Sequence, residues 1–192
     1  VQGHIKIHDP ESGAVFVNKR NAIHYENMSI ALAESVANQG QGFINSMAFG
    51  NGGTSVDPTG IITYLTPNST GTNASLYNQT FTKIVDDRSV SNLDPQRNKI
   101  ETRHVNGTNY TDVVVTCLLD YGEPNGQDAT DTASASDSLY VFDELGLVSF
   151  ASSGTGKLLT HVVFHPVQKS LNRLIQIDYT VRVQSLTGFN EG

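Results

Sequence analysis

Apolar positions along this chain recur mostly with a period of two. Ile5 and Ile7 alternate with polar neighbours, as do Val15 and Val17, and the two runs flank Asp9-Pro10-Glu11-Ser12-Gly13. Such runs around a Pro/Gly turn predict a β-hairpin. The period then changes. From His24 to Asn38, the residues Met28, Ala31, Leu32, Ser35 and Val36 recur at three- and four-residue spacing, which predicts one amphipathic helix. Asn21 is its expected cap, and Gly40 with Gly42 its expected stop. Only one face of this helix is apolar, so it is expected to lie against a sheet or a neighbouring subunit.

From Phe43 onwards the pattern is strand and turn. Phe43 to Phe49 runs into Gly50-Asn51-Gly52-Gly53-Thr54, a loop that must need positive φ or close backbone approach. Ile61 to Leu65 and Phe81 to Val85 predict short strands flanking the polar segment Pro67 to Ser75. Lys99 to Val105 and Tyr110 to Leu119 are joined by Asn106-Gly107, a strong hairpin signal. Within the second of these, Val113 to Leu119 is apolar enough for a central strand buried on both faces. Gly122 to Ser138 is polar and aperiodic, too long for an ordinary turn, and predicts an exposed loop. Leu139 to Phe142, Leu145 to Phe150 and Leu158 to Val167 resume the strands. In the last strand Ile175, Ile177, Tyr179, Val181 and Val183 point one way, and Gln176, Asp178, Thr180 and Arg182 the other.

These elements predict a mainly β fold: an antiparallel, jelly-roll-like β-sandwich carrying an N-terminal hairpin arm and one amphipathic helix. The expected organisation is a single domain over residues 1–192, with the arm at 1–20, the helix at 21–40 and the sandwich core at 43–185.

Composition narrows the function classes. The 192 residues carry a net charge of −7, which argues against a nucleic-acid binder that works through a concentrated basic face. Polarity comes instead from 17 Ser, 18 Thr, 16 Asn and 17 Gly, a mix that suits strands and turns. One cysteine, Cys117, cannot form an internal disulfide, so packing alone must hold the fold. No stretch approaches the roughly 20 apolar residues of a membrane-spanning helix, so neither membrane nor nucleic acid is an expected partner.

Gly154-Thr155-Gly156-Lys157 resembles the end of a phosphate-binding loop, but Ala151 stands where that motif has Gly and Leu158 where it has Ser or Thr. A hairpin turn is the expectation. His4 and His8, like His161 and His165, have i, i+4 spacing, yet both pairs fall in strands, where that spacing spans about 13 Å. One zinc ion cannot be shared over that distance, so surface or interface histidines are expected. Asp120, Glu123, Asp128, Asp131 and Asp137 do not match a calcium-loop spacing and read as a solvated acidic loop. The carboxylate pairs Asp86-Asp87 and Asp143-Glu144 have no inferable pocket to separate their pKa values. Cys117 lies in an apolar strand that disfavours a thiolate. No catalytic, cofactor-binding or metal residues are assigned, and the expectation is a protein that is not an enzyme.

One series of segments has a wider counterpart. Met47-Ala48-Phe49-Gly50-Asn51-Gly52-Gly53-Thr54 is followed by Leu76-Tyr77-Asn78-Gln79, then by Glu144-Leu145-Gly146-Leu147 and the turn Gly154 to Gly156. Leu158 to Phe164, Pro166-Val167-Gln168-Lys169 and the alternating strand to Val183 complete it. This order resembles the attachment domains of tailed-bacteriophage virion proteins, the tail-collar and tail-fibre N-terminal families. The resemblance covers roughly Phe43 to Val183. It departs from those families in length, because the fibres continue into a shaft and tip.

The resemblance implies a non-enzymatic virion component, assembled in the host bacterial cytoplasm: a collar, neck or baseplate adaptor, or alternatively a capsid decoration protein. Its implied partners are other virion proteins and further copies of itself, in rings of three or six. A carbohydrate-binding sandwich is a further alternative, with Tyr64, Tyr77, Tyr110, Tyr121 or Tyr140 as its aromatic platform. The expected interface is the apolar side of the arm, Ile5 and Ile7, together with the helix face of Met28, Leu32 and Val36. The arm is expected to reach a neighbour and add a strand to its sheet.

Overall fold

A computed structural model describes residues 1–124 and 139–185. Twelve strands and one helix follow each other along them: β1 (Gln2–His8), β2 (Val15–Arg20), β3 (Ala22–Ile23), α1 (Tyr25–Val36), β4 (Ile44–Gly50), β5 (Thr54–Val56), β6 (Ile62–Tyr64), β7 (Gln79–Ile84), β8 (Lys99–His104), β9 (Tyr110–Leu119), β10 (Leu139–Ser149), β11 (Thr160–Ser170) and β12 (Ile175–Gln184). Two five-stranded antiparallel sheets, ordered β2-β1-β12-β9-β8 and β3-β11-β10-β4-β7, pack face to face as a β-sandwich. The pair β5-β6 forms a separate two-stranded ribbon.

The period-two pattern does what it should. Ile175, Ile177, Tyr179 and Val181 of β12 are buried between the sheets, opposite an aromatic cluster from the second sheet. In that cluster the Phe142 ring meets Phe49 and Phe164 edge-on, with centroids 5.4 and 5.7 Å apart. Burying such side chains supplies about 1.5–3 kcal/mol each, and this is the term that holds a fold without a disulfide. On the opposite face of β12, Arg182 makes a two-pronged pair with Asp112 of β9, at 2.8 and 2.9 Å, and lies over the Tyr110 ring.

The N-terminal hairpin is not an arm. β1 pairs with β12 along its whole length, from Gln2 opposite Arg182 to His8 opposite Gln176, and so extends the first sheet. Ile5 and Ile7 are fully buried in the chain's own core. The expectation that they serve an interface is overturned by the alternation that predicted the hairpin: a two-faced strand beside an open sheet edge in the same chain pairs there first. The sandwich therefore begins at residue 2 rather than 43.

The helix begins at Tyr25, one residue after the expected start, because Ala22 and Ile23 still pair with β11. Its cap is His24, whose Nδ1 accepts from the Asn27 N–H at 3.1 Å, rather than Asn21. Met28 and Ala31 enter the core and Leu32 is half-buried against it. Val36, expected to pack, is 87% exposed in the last turn. Asn38 takes the left-handed conformation (φ 53°) that ends the helix, ahead of Gly40 and Gly42.

The segments Leu139 to Phe142 and Leu145 to Phe150 are one strand, β10, broken in register. Phe142 faces Val167 but Glu144 faces Val163, so β11 bulges through Phe164 to Pro166. Pro166 has no N–H to give the ladder, which fixes the bulge there. The strand β8, at the outer edge of the first sheet, carries Lys99, Glu101 and Arg103 on one face, with Glu101 paired to both cations.

Candidate functional site

The second sheet is covered on both sides. Its inner face meets the first sheet, while the chain between β4 and β7 crosses its outer face. There Ala48, Leu76 and Leu158 form a small core of their own. Outward-facing residues of β10 and β11, which the alternation marks as solvated, are sealed beneath this crossing segment. Glu144 and His161 are the result: neither side chain has any exposed surface.

Four donors converge on Glu144. Its Oε1 accepts the N–H of Gly52 at 3.1 Å and of Asn78 at 2.8 Å. Its Oε2 accepts the Tyr77 N–H at 3.0 Å and His161 Nε2–H at 2.8 Å. The Asn68 N–H donates to His161 Nδ1 at 2.7 Å, so Nδ1 is the acceptor of the ring and Nε2 the donor. Beside it Asp143 accepts from the N–H groups of Gly53 and Thr54, both at 2.9 Å, and from the Thr54 hydroxyl. Burial opposes the Glu144 charge, but the His161 hydrogen bond and the N–H groups of Asn78 and Tyr77 outweigh it and hold its pKa below the usual glutamate range.

The glycine loop exists for this contact. Positive φ, one of the two expected reasons for its glycines, is not used at Gly50, Gly52 or Gly53; the reason is close approach. A Cβ on Gly50 would lie 2.4 Å from the Asn78 carbonyl oxygen, and one on Gly52 2.8 Å from the Asn78 nitrogen. Across the site, a Cβ on Gly146 would lie 2.2 Å from the Thr160 carbonyl oxygen.

Chemically this centre is closed. Both oxygens of Glu144 and both ring nitrogens of His161 are occupied by protein donors and acceptors, so neither group is available to move a proton to a substrate or to hold an ion. The arrangement fastens three stretches of chain (51–54, 68 and 76–78) to the sheet. His161 thus corrects the expectation of a surface histidine. The sequence carries one signal for it: core positions in β10 run Tyr140, Phe142, then Leu145, Leu147. That one-residue slip is the mark of a bulge, and it turns Asp143 and Glu144 to the same covered side.

The other candidates fall elsewhere. His165 is exposed and meets Tyr64, while His8 pairs with Asp178 at 2.8 Å. Among the described residues, no group of three His, Cys, Asp or Glu is placed to hold a metal ion. Burial in β9 pushes the Cys117 thiol up to about 12. Lys157 follows a turn between β10 and β11, and no helix begins there. Of the tyrosines offered as a sugar platform, Tyr140 is in the core and the Tyr110 face is taken by Arg182. Asp128, Asp131 and Asp137, with the polar loop from residue 125 to 138, lie outside the described residues.

An opening lies at the end of the sandwich marked by the start of β4, where α1 meets residues of both sheets. It is a cavity of about 710 Å³. Leu32 of α1, Ile44 of β4, Ile100 of β8 and Val113 of β9 form its walls, and Phe43 and Val90 stand at its rim. Arg88 lines the mouth; among the described residues it has no ion-pair partner. The neighbouring carboxylates are engaged locally, Asp86 by the Arg88 N–H and Asp87 by the Ile100 N–H. Met28 and Leu32, two of the expected interface residues, therefore face a cavity. Comparison of the chain with family models, curated proteins and solved structures found no match.

Proposed function

We propose that this chain is a non-enzymatic structural component of a tailed-bacteriophage virion, a tail-, collar- or baseplate-associated adaptor that docks on other virion proteins. One observation supports this reading above the rest. Met47–Thr54, Leu76–Gln79, Glu144–Leu147 and Leu158–Phe164, the segments that carry the resemblance, are far apart in sequence yet meet around Glu144. Motifs shared by chance have no reason to converge. A set of residues that builds one buried fastening does, because each member loses its partner if another changes.

The chemistry of the centre favours a structural role over catalysis, since its ionisable groups are fully engaged and out of contact with solvent. The end cavity and the exposed apolar groups beside it favour a protein that meets other proteins. A decoration protein on the capsid would share all these features and differ only in position.

The test is the particle. Virions of the phage that encodes this chain, purified and analysed by mass spectrometry and by cryo-electron microscopy, are expected to contain it in copies of three or six at the tail or neck. Absence from purified virions overturns the reading, and density over the capsid lattice replaces the adaptor with the decoration protein. Binding of a defined glycan to the isolated protein, with no particle incorporation, favours the carbohydrate module instead.

A further inference from the structure

The dipeptide Asn-Gly occurs twice among the described residues, and the fold treats the two occurrences differently. Asn106-Gly107 is the turn between β8 and β9, closed by the Thr108 N–H on the Val105 carbonyl at 3.1 Å. Both residues are exposed, and the Gly107 N–H donates to no group among the described residues. A Cβ on Gly107 would meet nothing within 4 Å. Asn51-Gly52, in the loop after β4, is tied down instead. The Gly52 N–H donates to the buried carboxylate of Glu144 at 3.1 Å. The Asn51 N–H donates to the Asn78 carbonyl at 3.1 Å, and its side-chain oxygen accepts from the Asn78 amide at 2.6 Å.

An asparagine side chain is open to attack by the backbone nitrogen of the residue that follows it. A glycine in that place has no Cβ to obstruct the approach. We propose that Asn106 is a site of spontaneous deamidation and that the fold shields Asn51 from the same reaction. The Gly107 nitrogen gives up its proton to solvent and bonds to Asn106 Cγ, the Cγ–Nδ2 bond breaks, and ammonia leaves. Water then opens the five-membered imide at either carbonyl. One opening yields aspartate at position 106, and the other yields isoaspartate, in which the chain continues through the side-chain carbon. One water is consumed, one ammonia is released and one negative charge is gained.

At Asn51 the first step is blocked twice. Glu144 accepts the hydrogen that must leave, and its charge disfavours the amide anion that would remain. The Asn78 amide holds the Asn51 side chain, so Cγ is not free to turn onto the Gly52 nitrogen. At the turn, isoaspartate adds one backbone atom inside the loop that the Val105–Thr108 hydrogen bond closes. The tip of the hairpin is therefore reshaped and charged, while the ladder from His104 opposite Thr111 inwards is left in place.

The test uses the full chain, held in mildly alkaline buffer at body temperature, either folded or in guanidinium chloride. The reaction needs no other protein, so its outcome is independent of the virion reading. Trypsin with chymotrypsin releases His104–Tyr110 and Gly50–Tyr64, each carrying one of the two Asn-Gly pairs. A gain of one mass unit, with labelling by an isoaspartate methyltransferase, marks conversion. In the folded protein the Asn106 peptide is expected to convert at least about tenfold faster than the Asn51 peptide, because an N–H must first be lifted off a buried carboxylate at Asn51. In the denatured chain the two are expected to convert at closely similar rates. Equal rates in the folded protein, or no conversion at Asn106, overturn the proposal. So does an Asn51 peptide that stays slow after denaturation, because neighbouring sequence rather than the fold would then protect it. Asn106→Gln is expected to abolish the product in the His104–Tyr110 peptide, and its persistence would move the reaction to Asn109 and overturn the assignment.

Discussion

Glu144 and His161 face each other across neighbouring strands, 2.8 Å apart and without exposed surface, and the crossing segment of the chain hangs on them. Leaving a buried donor without its acceptor typically costs about 1–3 kcal/mol, and Glu144 satisfies four. Glu144→Ala is expected to lower stability by at least that much, because it also orphans the N–H groups of Gly52, Tyr77 and Asn78. Urea unfolding monitored by tyrosine fluorescence measures it. A loss below about 1 kcal/mol would mean that the centre is not what fastens the segment.

The same carboxylate gives the protein an acid limit. Its folded pKa is below its unfolded one, so the stability it contributes is complete above the unfolded value of about 4.3 and is lost as pH falls through the folded value. Stability is expected to decline on acidification from pH 5, and Glu144→Gln, already destabilised, is expected to show a shallower decline. Parallel slopes in the two proteins would rule this out.

Lys169 sets a second trend of the same sign at high pH. Burial pushes it down to about 8, with Glu123 and Asp120 partly offsetting the shift, and its Nζ donates to the carbonyls of Asp120 and Ser170. Between about 8 and the ordinary lysine value near 10.4 the unfolded chain holds the proton more tightly, so stability contributed by this group rises with pH. Relative to Lys169→Met, the wild type is expected to gain stability from pH 8 to pH 10. Equal pH dependence in both would contradict the burial of the amine.

Along the helix, truncation is expected to be graded. Met28→Ala removes a side chain from the core and should cost about 2–5 kcal/mol. Leu32→Ala, at the cavity wall, should cost less because part of its surface is already open, and Val36→Ala should stay within about 0.5 kcal/mol. Chemical denaturation of the three single variants checks the order.

Close approach gives a sharper expectation. In Gly146→Ala the new methyl would meet the Thr160 carbonyl, a backbone atom that cannot step aside, so a loss of about 1–3 kcal/mol or more is expected. In Gly107→Ala the added carbon has open space and only the φ of 87° resists it, so the loss should be smaller. The reverse order in a thermal-shift series would refute the packing at Gly146.

Much of the fold was legible because β-sandwich strands are written in period two: β1, β2, β9 and β12 fall where alternation puts them, and Asn106-Gly107 makes the turn it signals. What alternation cannot say is which sheet edge a strand will join, so the hairpin of Ile5 and Ile7 read as a free arm. Nor can it say that a polar face will be roofed over. The burial of Glu144 and His161 was not legible because the segment that covers them binds them through backbone N–H groups, which every sequence possesses. Cap choice failed locally for a similar reason: β3 pairs through Ile23, so the first free cap position is His24.

The charged face of β8 has a consequence for handling and storage. An edge strand of alternating residues is a ready template for cross-β stacking, and a protein accumulated at high concentration meets many such templates. Lys99, Glu101 and Arg103 satisfy one another in register within a single strand, so a second β8 laid alongside would bring like charges together unless it slipped. Lateral precipitation is thereby disfavoured along that edge. Neutralising the row, for instance with threonine at all three positions, should leave the native fold nearly as stable while shortening the time a concentrated solution stays clear.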